Sequence, residues 1–151
     1  MTPGTGTAPA ILVASAGDPF PPAVLARVRE LAGARRPPIV VMSVARIWGT
    51  ALGLPNPGLY PTRHEMQQQK DQVEAAKTAL GDDGLPAQTA VITARNAGKA
   101  IARYAEKQNC GIIVITDAAA PRWQRLLFGD LPREIRRRTR IPVEPVGPAG
   151  L

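Results

Sequence analysis

The chain is poor in the residues that usually announce chemistry. Its 151 residues include one cysteine and one histidine. Cys110 has no partner for an internal disulfide and no second cysteine with which to hold a metal, which suits a reducing compartment. Standing just ahead of an apolar run, it reads as a buried thiol at the start of a strand. His64 has no second histidine beside it and no Cys or Ser nucleophile signature around it, so no catalytic role is assigned to it. The pair Asp82-Asp83 lacks the ligand spacing of a calcium loop and reads as a turn. No apolar run approaches the roughly 18 residues of a membrane helix, so no membrane association is expected. The opening residues are rich in Gly, Thr and Pro and carry no positive charge, and the apolar stretch after them is short and followed by Asp18. This is not the pattern of a signal peptide, and a cytoplasmic protein is expected.

Acids are also scarce. Nineteen Lys and Arg face 12 Asp and Glu, a formal charge of +7 that permits attraction to nucleic acid, anionic ligands or acidic surfaces without choosing among them. The length suits one domain with a proper core, at residues 10–146, between a flexible tail at 1–9 and a short C-terminal tail at 147–151.

Strand and helix patterns alternate along that domain. Ala10-Ile11-Leu12-Val13-Ala14, bounded by Pro9 and Gly17-Asp18-Pro19, reads as a buried strand. Pro21 and Pro22 suit a helix start, and Val24, Leu25, Val28 and Leu31 recur at helical spacing until Gly33. Pro38 to Val44 is a second buried strand, rich in β-branched residues. Trp48 to Pro61 has no period and reads as a long loop, the kind that is often functional. Thr62 and Glu65 form a capping box at the head of a helix striped by Met66, Val73, Ala76 and Leu80 and ended by Gly81-Asp82-Asp83-Gly84. Gln88 to Ile92 is a third strand. A helix follows from about Asn96, with Ile101, Tyr104 and Ala105 inward. Gly111 to Thr116 is a fourth strand, Leu131 to Thr139 a last helix, and Ile141 to Val146 a fifth strand. This alternation predicts an α/β fold, a Rossmann-like parallel sheet with helices on both faces. The near-continuous apolar character of three strands supports burial on both sides.

The order and spacing of these segments resemble the universal stress protein family from about Ala10 to Val146. The carrying segments are Ile11 to Ala14, Val40 to Val44, Gly98 opening the third helix, Gly111 to Ile115, Trp123 to Gly129 and Ile141-Pro142-Val143. The resemblance implies a single-domain, open, five-stranded parallel sheet in the order 3-2-1-4-5, with nucleotide, where bound, at the C-terminal ends of strands 1 and 4. That is the topological switch point.

Nucleotide-binding members of the family carry an Asp after strand 1. After strand 4 they carry Gly, two residues, Gly, nine residues, Gly and then Ser or Thr. Anchored on Gly129, these positions fall on Thr116, Ala119, Gly129 and Asp130, of which only Gly129 matches. After strand 1 the Asp position falls on Ala16, with Gly17 kept and Asp18 where Ser or Thr is usual. The candidate ligand crevice is therefore Ala16, Gly17, Asp18, Val44, Thr116, Ala119, Gly129 and Asp130. Asp130 is read as the N-cap of the last helix, a tethered carboxylate in the place of the phosphate. At about 4 Å and an effective dielectric of 20, a phosphate there meets roughly 4 kcal/mol of repulsion, about a thousandfold in affinity, offset in part by Arg122, Arg125 and Arg133.

The run Arg133, Arg136, Arg137, Arg138 and Arg140 reads as a solvated helix face near a helix C-terminus, with Leu131, Ile135 and Thr139 toward the sheet. No aromatic interleaves with it and no helix-turn-helix is present, so nucleic acid is not the expected partner. Trp48 borders the expected crevice, and Trp123 reads as packing. The resemblance implies a homodimer through the fifth strand, although Glu144 and Pro145 blunt that edge. The expectation is a non-enzymatic, stress-associated binding or regulatory protein with a degenerate nucleotide loop and no cofactor. The alternatives are an ATP- or AMP-binding member acting as a slow ATPase, and a basic protein associated with nucleic acid.

Overall fold

A computed structural model of the chain describes residues 9–47, 62–116 and 130–147. The expected long loop, Ala119, Trp48, Trp123, Arg122, Arg125 and Gly129 lie outside these residues.

Five strands alternate with helices. In chain order they are β1 (Ala10–Ser15), α1 (Pro22–Ala32), β2 (Ile39–Arg46), α2 (Arg63–Asp82), β3 (Ala87–Ala94), α3 (Ala97–Lys107), β4 (Cys110–Thr116), α4 (Leu131–Arg136) and β5 (Val143–Val146). All paired strands are parallel, and the sheet order is β3-β2-β1-β4-β5. Ile11 pairs with Ile39 on one side and with Ile112 on the other, so β1 lies at the centre and the strand order reverses beside it.

Local chemistry explains most element ends. Pro22 opens α1, where a missing N–H is no loss, and Gly33 closes it at φ +53° by donating its N–H to the Arg29 carbonyl at 3.0 Å. The capping box of α2 is complete. The Glu65 N–H donates to Thr62 Oγ1 at 3.1 Å, and the Thr62 N–H donates to Glu65 Oε2 at 2.8 Å. Asn96 caps α3 by accepting from the Lys99 N–H at 3.0 Å. α2 ends inside Gly81-Asp82-Asp83-Gly84 as expected, with Asp83 as its C-cap. Other boundaries differ from expectation. β1, β2 and β3 run one or two residues further, to Ser15, Arg46 and Ala94. α4 ends at Arg136, three residues before Thr139, whose hydroxyl turns aside to donate to Glu106. β5 begins at Val143, because its ladder with β4 starts at the Ile113 pairing.

Side chains alternate across the strands and build two apolar layers. Ile11, Val13, Ile39, Val41 and Val114 pack under α1 and α2. Leu12, Met42, Ile113 and Ile115 pack under α3 and α4 with Ile101 and Ile135. The centre is therefore covered on both faces, and β1 and β2 are buried almost from end to end. Cys110 is buried at the start of β4, and burial pushes its thiol up from the ordinary value.

Candidate functional site

β1 and β4 end in buried hydroxyls at the C-terminal rim, and a third, on β2, lies level with them. Ile11 and Val13 face α1 and α2, and by the period of two so do Ser15 on β1, Ser43 on β2 and Thr116 on β4. Ser15 pairs with Ser43 in register. Ala14 pairs with Ile115, which brings Thr116 level with Ser15 on the other side. The result is a row of three hydroxyls, Thr116, Ser15 and Ser43, crossing the point where strand order reverses. All three are buried.

Two members of the row are committed. Ser15 Oγ donates to the Asp18 carbonyl at 2.9 Å, fixing the turn after β1 in which Gly17 holds φ +99°. Ser43 Oγ donates to Gln69 Oε1 at 2.7 Å. Gln69 also covers the turn, since a Cβ built on Gly17 would lie 3.5 Å from its Nε2. Thr116 Oγ1 is different. It is buried and has no hydrogen-bond partner among the described residues. A buried hydroxyl without a partner is unfavourable unless something else satisfies it.

The charged groups stand beside this row. Asp18 is half-buried, and burial raises its carboxyl above the ordinary value while Arg46 at the end of β2 pulls it back. Arg46 also lines an open cavity of about 270 Å³ with Arg95, Gly98 and Glu134. Val44 is fully buried under α3, so of the sequence-derived crevice residues it belongs to the core layer. Ala16 packs against the same layer.

At α4 the backbone donors are largely spent. Asp130 is the N-cap, and its Oδ1 accepts from the Arg133 N–H at 3.5 Å, the long end of the hydrogen-bond range. Pro132 is the second residue of the helix and has no N–H to offer. The Glu134 N–H goes to the Asp130 carbonyl at 3.0 Å. Among the described residues, this leaves the N–H groups of Asp130 and Leu131 at the head of the helix. Glu134 adds a second carboxylate there. Pro132 was readable in Asp130-Leu131-Pro132-Arg133 as a helix start, and its meaning for anion binding is the loss of a donor. Gln69 and the hydroxyl row carried no such local signal, because they meet only through the sheet.

A statistical profile of the universal stress protein family matches residues 9–144. The chain belongs to the universal stress protein family. No curated protein sequence matches it. Among solved structures, a universal stress protein from Archaeoglobus fulgidus is similar over 92% of this chain and 93% of its own, at 18% identity and TM-score 0.66. One from Burkholderia pseudomallei covers 95% and 98% of the two chains at 18% identity and TM-score 0.65. The Archaeoglobus fulgidus protein in complex with dAMP covers 91% and 95% at 18% identity and TM-score 0.62. At these identities the structures share the fold of this universal stress protein.

His64 is exposed in the first turn of α2. Asp83 forms an ion pair with Arg29 across α1 and α2. Among the described residues no group of three or more His, Cys, Asp or Glu is placed to hold a metal ion. Also among these residues, no helix is long and apolar enough to cross a membrane.

Proposed function

We propose that this universal stress protein is a non-enzymatic binding protein whose crevice does not take ATP through the usual loop. The start of α4 supports this reading. A phosphate there needs free N–H groups and a favourable dipole. Asp130 takes the Arg133 N–H, Pro132 removes another donor, and the six-residue helix carries Asp130 and Glu134 in place of a hydroxyl. Two carboxylates compete for the charge a triphosphate would bring.

A second reading is a nucleotide-binding member that recognises the nucleoside end and a single phosphate. Thr116 Oγ1 at the switch point, buried without a partner among the described residues, favours it, as does the likeness to a family structure solved in complex with dAMP. Ligand released by denaturing freshly purified protein, read by mass spectrometry, separates the two. The first reading expects no stoichiometric nucleotide and no calorimetric heat with ATP. Stoichiometric AMP or ATP overturns it.

A further inference from the structure

The net charge of the chain is carried by one face. Helices α3 and α4 cover the same side of the sheet. Residues 95–107 and 130–140 hold nine Lys and Arg against Glu106, Asp130 and Glu134. On the opposite side, α1 and α2 hold five against five. The excess is also ordered. Arg95, Lys99, Arg103 and Lys107 recur at every fourth position, and all four are exposed. Arg95 stands just ahead of the Asn96 cap, and on α3 itself four residues advance the helix by about 6 Å, so Lys99, Arg103 and Lys107 form a line rather than a cluster.

Packing makes a groove of this line. Gly98 lets α4 close on α3: a Cβ at Gly98 would lie 2.7 Å from the Glu134 Cβ. Between the helices runs an open groove of about 590 Å³, lined by Lys99, Ala102, Arg103, Glu106, Lys107 and Arg138. Its single acid, Glu106, already accepts from Thr139 Oγ1 at 2.9 Å. Arg136 is not part of the groove, because its guanidinium donates to the Val143 carbonyl at 2.8 Å and braces β5. Arg138 crosses from the end of α4, its Nε 4.0 Å from Glu134.

We propose that the groove between α3 and α4 binds the phosphodiester backbone of a nucleic-acid strand without reading its sequence. A row of evenly spaced cations matches a linear polyanion. Among the described residues lining the groove there is no aromatic side chain on which a base could stack, so affinity comes from phosphate contacts. A folded acidic protein fits less well, because such interfaces centre on aromatic and large apolar anchors, and Ala102 is the only apolar residue among the described ones lining the groove. The arginines of α4, read along their own helix, gave a solvated face. The ridge on α3 completes the surface, and only the packing of the two helices brings it there.

The test is binding of a fluorescent single-stranded oligonucleotide of random sequence, titrated against salt. The four cations of the groove (Lys99, Arg103, Lys107 and Arg138) predict a slope of log K against log salt of about −2.8. The triple variant Lys99→Ala, Arg103→Ala, Lys107→Ala loses about 2 from the magnitude of that slope and at least about tenfold in low-salt affinity. An equal charge change on the opposite face, Arg63→Ala, Lys70→Ala, Lys77→Ala, leaves affinity within about twofold. No binding at low salt, an equal loss in both triple variants, or equal affinity for polyglutamate of the same charge each overturns the proposal.

Discussion

Arg27 and Glu144, 117 residues apart in sequence, join α1 to the edge strand β5. Arg27 Nη2 donates to Glu144 Oε1 at 3.0 Å, and Nε donates to Oε2 to complete a two-pronged pair. The hydrogen bonds from Arg27 hold the Glu144 carboxyl below its ordinary value of 4.5. Because the folded state depresses this group, its contribution is complete above pH 4.5 and is lost as pH falls through the lower, folded value. Glu144→Gln is expected to lower the thermal midpoint at pH 7 and to flatten the acid limb of the stability profile. Thermal unfolding between pH 2.5 and 7 measures both. A variant that keeps the wild-type acid slope shows that other carboxylates set it.

Asp18 carries the opposite sign. Its carboxyl is raised above the ordinary value of 3.8, chiefly by burial, so the folded state resists its ionisation and loses stability as pH rises through that range. Asp18→Asn, with Ser15 still bound to the residue-18 carbonyl, is expected to stabilise the protein at pH 7, with the difference vanishing near pH 3. Denaturant unfolding at the two pH values provides the check. Destabilisation at pH 7 would mean that the attraction to Arg46 outweighs burial.

Two glycines are expected to respond in opposite directions. At Gly98 a Cβ would lie 2.7 Å from the Glu134 Cβ, closer than packed atoms come, so Gly98→Ala must push α4 away from α3. A loss of about 1–3 kcal/mol is expected. Gly81 lies inside α2 with nothing within 4 Å of its Cβ position, and Gly81→Ala is expected to gain about 0.5–1 kcal/mol. Urea denaturation of the two variants reads both signs.

Removing the Asp130 charge should reopen part of the phosphate position. Asp130→Asn keeps a side-chain oxygen for the Arg133 N–H and takes away the repulsion, so stability changes by less than about 1 kcal/mol while ATP affinity rises by roughly tenfold or more. Adding Pro132→Ala returns the missing donor and should raise affinity further. Calorimetry with ATP decides the matter. If neither variant binds better than wild type, the carboxylate is not what keeps ATP out.

Thr116→Val replaces a buried hydroxyl that has no partner among the described residues by a methyl of the same shape. The ligand-free protein should be equally stable or more so, because no hydrogen bond is lost. Ser43→Ala, by contrast, strands Gln69 Oε1 and should cost about 1 kcal/mol. Equal losses at the two sites, measured by urea denaturation, would show that Thr116 has a partner after all.

What the sequence disclosed divides along the distance over which each feature is decided. The Thr62-Glu65 capping box, the Asn96 cap, Pro22 and Gly33 act within a few residues, so each could be read directly and each stands where expected. The strand order came from family resemblance, since alternation alone does not say which strands pair. The end of α4 differs from expectation because a tertiary partner decides it: Glu106 draws Thr139 away. The hydroxyl row was invisible for the same reason. Ser15, Ser43 and Thr116 are scattered along the chain, and only strand register sets them side by side.

The central place of β1 has a consequence for synthesis. Its β2 side is satisfied early, by the residues from Ile39 onward, whereas its other side waits for the residues that begin at Cys110. During that interval the first three strands can pair while one edge of β1, apolar and unprotected, stays open to any strand that passes. β4 is therefore both the last partner of β1 and its guard against association between unfinished chains. A ribosome that stalled before Cys110 would leave that edge exposed.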